Sequence, residues 1–108
     1  MNMWVDDVRT APVGWKQITS VKEAILCFCQ HCNPDKKIVG FDIVSMDHDA
    51  GEYAFMGGDY IQILKWMEIK QNCYGWDFSN IRFHMHSANP VGVKNMETIC
   101  KVNGWRMF

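Results

Sequence analysis

The 108-residue sequence predicts an α/β fold in which a mostly parallel sheet of four to five strands carries helices on both faces. Short apolar runs of strand length alternate with three longer stretches of helical periodicity. Hydrophobic residues make up 48% of the chain and charged residues 21%, enough apolar surface for a single domain spanning residues 1–108 with one buried core. Three of the apolar runs also end in chemically loaded residues: Asp6-Asp7, Asp47-His48-Asp49 and His86-Ser87. In open α/β sheets ligands bind outside the carboxyl ends of the strands, so these three ends are expected to converge on one rim.

Each element follows from local pattern. Met3–Val5, closed by two acids, reads as a buried first strand. Arg9–Gly14 contains Pro12 and Gly14 and reads as a loop. Trp15–Thr19 is a second short strand. Ser20 or Thr19 caps the next helix, and Glu23 completes a capping box with Ser20. That helix runs Val21–His31, with Ala24, Ile25 and Phe28 at core spacing, until Asn33-Pro34 stops it. Lys37–Met46, rich in Ile, Val and Phe, reads as a third strand. Ala50–Gly58 holds Gly51, Gly57 and Gly58 and reads as a mobile loop. Asp59–Lys70 is a helix with Ile61, Leu64 and Trp66 inward. Asn80–His86 alternates Ile81, Phe83 and Met85 against Arg82, His84 and His86, a fourth strand. Pro90–Val102 is a helix ended by Gly104, and Trp105–Phe108 is a short final segment.

Composition excludes several functions. Eleven Lys and Arg against twelve Asp and Glu give a net charge of −1, which offers no broad basic face for duplex nucleic acid. The longest apolar runs are too short to span a bilayer, and Met1–Asp7 has no signal-peptide pattern. A cytoplasmic protein with no membrane contact is expected. Its five cysteines then read as reduced thiols. Cys27, Cys29, His31 and Cys32 offer four zinc-type ligands, but helical periodicity turns Cys29 and Cys32 away from the face shared by Cys27 and His31. The apolar tail at Phe108 admits a homodimer.

The rim residues point to phosphate chemistry. Asp6, Asp7, Asp47 and Asp49 would repel one another unless a cation bridges them, and carboxylate oxygens suit Mg²⁺ or Mn²⁺. Asn89-Pro90 is an N-cap followed by a preferred first helical residue, with Ser87 beside it. A helix N-terminus there offers N–H groups and a dipole end to a phosphate. Arg9 can clamp the same phosphate or pair with Asp7. His48 and His86, at adjacent strand ends, have the residue type for base and acid. His84 lies roughly 6.5 Å deeper on the same strand.

Asp6-Asp7-Val8-Arg9, Pro12-Val13-Gly14-Trp15, Ser45-Met46-Asp47-His48-Asp49 and His86-Ser87-Ala88-Asn89-Pro90-Val91-Gly92, with Met96 following, resemble the cyclic-phosphate processing receiver-like family. The resemblance covers nearly the whole chain in order. It implies a receiver-like (flavodoxin-like) three-layer α/β/α sandwich with a shortened first crossover, and an activity on cyclic phosphates. Carried over by position, it implies a site of Asp6, Asp7, Arg9, Asp47, His48, Asp49, His86, Ser87 and Asn89. Where members of the family often read Thr-Gly-Tyr-Asp entering the helix after the third strand, this chain has Asp59-Tyr60-Ile61-Gln62. The expected function is a phosphodiesterase opening a cyclic nucleotide or a 2′,3′-cyclic RNA end, with His48, His86, Asp47 and Asp7 catalytic. The expected phosphate ligands are Arg9, Ser87 and Asn89, and the expected metal ligands Asp6, Asp7, Asp47 and Asp49. The alternative is a module that sequesters a cyclic nucleotide without cleaving it, for instance to intercept a defence signal for a phage or host. A third is a degenerate receiver used for protein contact.

Overall fold

A computed structural model describes residues 1–108. In chain order its elements are β1 (Asn2–Val5), β2 (Lys16–Ile18), α1 (Val21–Gln30), β3 (Ile43–Met46), a 3-10 helix (Gly51–Met56), α2 (Ile61–Tyr74), β4 (Arg82–Met85), α3 (Pro90–Val102) and β5 (Arg106–Met107). The five strands form one sheet in the order β2-β1-β3-β4-β5, and every neighbouring pair is parallel. No helix is long and apolar enough to cross a membrane.

Residues alternate along the strands between two environments. Met3, Val5, Val44, Met46 and Phe83 are fully buried, whereas Asn2, Trp4, Ile43, Arg82 and His84 are half-buried or exposed. The buried set faces the helices, which supply Ala24, Phe28, Leu64, Met67, Met96 and Cys100 to the same core. Within it Phe28 meets Phe41 and Phe78 edge-on at centroid separations of 5.6 and 6.1 Å, and Trp105 stacks on Phe83 at 5.6 Å.

The helices do not divide between both faces as the alternation of elements predicts. α1 packs on α2 and α2 on α3, so the three form one layer. Topology gives the reason. The crossovers β2→β3, β3→β4 and β4→β5 all step the same way across the sheet, and right-handed crossovers in one direction lay their helices on one face. Only β1→β2 steps the other way, and residues 6–15 make that step as a loop with no helix. The shortened first crossover therefore leaves the second face without a helical layer.

β2, β4 and α1 are each trimmed at their ends relative to the sequence pattern, to Lys16–Ile18, Arg82–Met85 and Val21–Gln30, and three segments differ more. The apolar stretch 37–46 is a strand only over Ile43–Met46. Upstream, Asn33 accepts hydrogen bonds from the Asp35 and Lys36 N–H groups, and Lys37 is left-handed at φ +58°. This turn sends Val39 and Phe41 into the core from a loop. α2 starts two residues later and ends four residues later than its periodicity suggests, closing on Gly75 in the left-handed region. The Ala50–Gly58 loop is largely a 3-10 helix. Ser20 caps α1, its Oγ accepting from Glu23 N–H at 3.1 Å, while Glu23 Oε1 reaches one residue past the cap to accept from Thr19 N–H at 2.8 Å.

Phe83 sits on β4 with no exposed surface. Phe83→Ala is expected to lower unfolding free energy by about 3–5 kcal/mol, measured by urea titration, with the strand order retained in water.

Candidate functional site

The rim is built outward from Asp6, the first residue after β1. Its side chain has no exposed surface. Oδ1 accepts from Val8 N–H at 2.8 Å and Arg9 N–H at 3.0 Å, a turn that a short acidic side chain can close on itself. Gln17 of β2 donates from Nε2 to the carbonyls of Asp6 (2.7 Å) and Arg9 (3.2 Å), and Trp4 donates from Nε1 to the Arg9 carbonyl at 3.0 Å. The loop that replaces a helix is thus fixed by three side chains. Arg9 folds back over the rim: Nη1 lies 3.2 Å from the His86 carbonyl and 3.5 Å from Asp6 Oδ2. The partner is Asp6, not the neighbouring Asp7. Arg9 still keeps 48% of its side chain exposed, so most of its donors are free.

His86 is held on both nitrogens. Nε2 lies 2.9 Å from Asp6 Oδ2, and a carboxylate can only accept, so Nε2 carries the proton. Nδ1 of the neutral ring then accepts the Ser45 hydroxyl at 2.7 Å, and Ser45 Oγ in turn accepts from His84 Nδ1 at 3.1 Å. Trp4 stacks on the imidazole at 3.9 Å with 7° between planes. Burial pushes the His86 pKa down, and the Asp6 and Asp47 charges only partly offset it. Burial works against ionisation of Asp6 as well, but the Arg9 and Val8 N–H groups and His86 outweigh it and hold the carboxyl below its ordinary value. A neutral His86 beside an ionised Asp6 is the resting state.

The remaining acids form two groups. Carboxylate atoms of Asp6, Asp7 and Asp47 lie within 4.8 Å of one another, as do ligand atoms of His48, Asp49 and Asp59. Asp49 thus lies with His48 rather than with the first three acids, and the two groups meet at the Asp47–His48 bond, where Asp47 Oδ1 accepts from His48 N–H at 2.8 Å. Either group could hold a metal ion. In the first, Asp7 accepts no hydrogen bond from the protein and Asp47 one, leaving lone pairs for a hard cation, while Asp6 is already occupied on both oxygens. Tyr60 lies close behind. Its hydroxyl donates to the Thr19 carbonyl at 2.6 Å, and burial followed by the Asp7, Asp6 and Asp47 charges raises its pKa.

His48 is only 15% exposed. Nδ1 lies 2.8 Å from Asp49 Oδ1, and Nε2 has no protein partner. The ring rests on the first turn of α3, where a Cβ at Gly92 would come within 2.4 Å of His48 Cγ. Asn89 caps that helix, its Oδ1 accepting from Gly92 N–H at 3.0 Å. Its Nδ2 reaches toward Asp49 at 3.4 Å. Ser87 Oγ accepts from Asn89 N–H at 3.1 Å, so it shapes the turn before the helix as well as facing it. The N-terminal turn therefore retains one unengaged N–H, that of Val91.

Sequence patterns alone did not single out Trp4, Gln17, Asp59 or Tyr60, or the role of Ser45. Ser45 carries a signal in retrospect, as the one polar residue in the apolar run of β3, and so does Trp4, which alternates outward between Met3 and Val5. All five cysteines are free; Cys27 and Cys100 are buried, while Cys29 and Cys73 are exposed.

A parallel sheet of this order, with paired carboxylates after β1 and an aspartate after β3, defines a receiver-like domain. The chain belongs to the cyclic-phosphate processing receiver domain family, whose model matches residues 1–102. No curated protein and no solved structure matches it.

The Asp6–His86 pair sets a pH dependence. A depressed His86 pKa means that the fold favours the neutral ring. This stabilisation is complete above the ordinary value of 6.5 and is lost as pH falls through the folded value. Loss of the Asp6 contribution follows below its ordinary 3.8. The urea midpoint is expected to fall between pH 7 and pH 5, and His86→Asn is expected to flatten that first step. A parent protein that gains stability over this interval would mean that the Asp6 charge, and not burial, governs His86.

Proposed function

We propose that this chain hydrolyses cyclic phosphodiesters, taking either a cyclic nucleotide or a 2′,3′-cyclic RNA end. One observation carries the proposal. His48 is oriented through Nδ1 by Asp49 and keeps Nε2 free, beside a carboxylate group and an exposed arginine, in a family that processes cyclic phosphates. A histidine so held presents one ring nitrogen that is free to take and return a proton.

Arg9, with Ser87 and Asn89, has the donors to receive the non-bridging phosphate oxygens. His48 Nε2 takes a proton from water as the water oxygen attacks phosphorus. One ring P–O bond breaks, and the departing oxygen takes that proton from His48. The products are a phosphate monoester and a free hydroxyl, and His48 returns to its starting state. Asp47 fixes the His48 backbone, and Asp7 is the carboxylate best able to orient the attacking water. His86 acts here through Asp6 and Arg9, because a proton reaching either of its nitrogens would first have to break a hydrogen bond. A hard divalent cation such as Mg²⁺ or Mn²⁺, held by Asp7 and Asp47 with Asp6 alongside, would supply the positive charge that a phosphate needs among carboxylates.

That engagement of His86 favours a second function, capture without cleavage, since it leaves one free imidazole nitrogen where separate acid and base would use two. Incubation with cyclic mono- and dinucleotides, with and without Mg²⁺ or Mn²⁺, separates the two by the appearance of product. If the chain is a hydrolase, His48→Ala is expected to cut turnover by about 10²–10⁴-fold while leaving ligand affinity largely intact. Undiminished turnover in that variant would remove His48 from the chemistry, and tight binding with no product from the parent would establish capture.

A further inference from the structure

Resting on the cyclic-phosphate function above, we propose that the concavity between α1 and the 3-10 helix seats the heteroaromatic base of a nucleotide whose phosphate lies at the acidic rim. The concavity has a volume of about 400 Å³ and is lined by Val21, Lys22, Ile25, Phe55, Met56 and Gly57. Its walls are chiefly apolar, and Phe55 stands beside it with 84% of its surface in solvent. A large ring held out beside an apolar floor is what a planar base requires for stacking. Lys22 makes no hydrogen bond or ion pair with the protein, so its ammonium is free to donate to ring nitrogen or keto oxygen acceptors at the edge of a base.

The same short segment joins this concavity to the rim. At its start, a Cβ on Gly51 would lie 2.5 Å from Asp7 Oδ2, so the backbone there is pressed against the carboxylate group. At its end, Gly57 takes φ +114° and a Cβ would lie 2.8 Å from Val21 Cβ, so the segment closes on the floor of the concavity. At Gly57 the positive φ and the close Val21 contact require glycine. Between Asp7 and Phe55 lie four 3-10 steps from Gly51, roughly 8 Å at about 2 Å per residue. This is of the order of the sugar that separates a phosphate from its base. On the other side, Tyr60 ties the two regions together, since its hydroxyl binds the Thr19 carbonyl two residues before Val21 and lies within the field of the Asp7, Asp6 and Asp47 charges. The two halves of a nucleotide, one anionic and one flat and apolar, thus meet two adjoining surfaces of matching character.

The test uses backbone amide NMR on the full chain with three probes: the four 2′,3′-cyclic mononucleotides, glycerol 1,2-cyclic phosphate (which has no base), and the free nucleosides. At least one cyclic nucleotide is expected to shift Lys22 and Phe55–Gly57 together with Asp7, Asp47 and Asn89. The base-free ester is expected to shift only the rim, and the matching nucleoside only the concavity. Phe55→Ala removes an exposed side chain, so folding is not at stake. It is expected to weaken cyclic-nucleotide binding roughly 5- to 100-fold and to leave the base-free ester unchanged. Cyclic nucleotides that shift the rim but not Phe55, or a Phe55→Ala variant that binds both kinds of ester as the parent does, overturn the base seat while leaving the phosphate site standing. The converse, nucleosides shifting Phe55 while no cyclic phosphate touches the rim, removes the phosphate site and keeps the seat. Should Phe55→Ala turn a dimeric parent into a monomer with ligand affinity unaltered, the concavity is a contact between two copies and the proposal falls.

Discussion

A carboxylate with no exposed surface organises the carboxyl end of this sheet. Burying Asp6 is costly unless its charge is met by donors, and the fold meets it with two backbone N–H groups, the His86 ring and the flank of Arg9. Each donor is positioned in the process. The turn at Val8 and Arg9 replaces a helical crossover, Arg9 is directed over the rim, and His86 is drawn across β3 until it stacks on Trp4. The stacking is feasible because β3, which lies between β1 and β4, presents Ser45 there, small enough to let the rings meet above it and polar enough to satisfy the second imidazole nitrogen. One buried charge therefore orders residues from β1, β3, β4 and the first loop.

The rest of the rim is electrostatically unbalanced by comparison. Asp7, Asp47, Asp49 and Asp59 lie around His48 and Asp6 with few protein donors between them. Like charges at such separations repel and favour whatever brings positive charge or protons to them. The two halves of the rim accordingly differ in kind. Around Asp6 the hydrogen-bonding capacity is spent within the protein. Around Asp7 and His48 it is largely unspent and faces outward.

Much of this was legible in the sequence because it rests on local rules. The α3 boundaries follow from Asn89-Pro90 and Gly104, α1 from its Ser20 cap, and the sheet from the alternation of elements, each a signal contained within a few residues. The convergence of Asp6, Asp47 and His86 on one end also followed, since parallel strands share a direction. What sequence did not reveal depends on distant partners. Val39 and Phe41 alternate as a strand would, yet they reach the core from a turn set by Asn33 and Lys37. The single helical layer is a property of strand order, which no local pattern encodes. The different standing of His48 and His86 turns on which of their nitrogens are engaged, and both are histidines at strand ends with acids nearby.

Strand order carries a kinetic consequence. β1 lies between β2 and β3 in the sheet, pairing Asn2 with Ile43, and the Asp6–His86 contact spans 80 positions of sequence. Contacts so distant must wait for large loops to close, which slows folding of such topologies. Because synthesis proceeds from the N-terminus, Asp6 and Asp7 emerge long before the histidine that completes their surroundings. During that interval Asp6 has only its own turn and Arg9 as partners. The rim is thus one of the last parts of the molecule to exist in finished form, and a ligand that needs it can stabilise the folded chain but cannot guide its early steps.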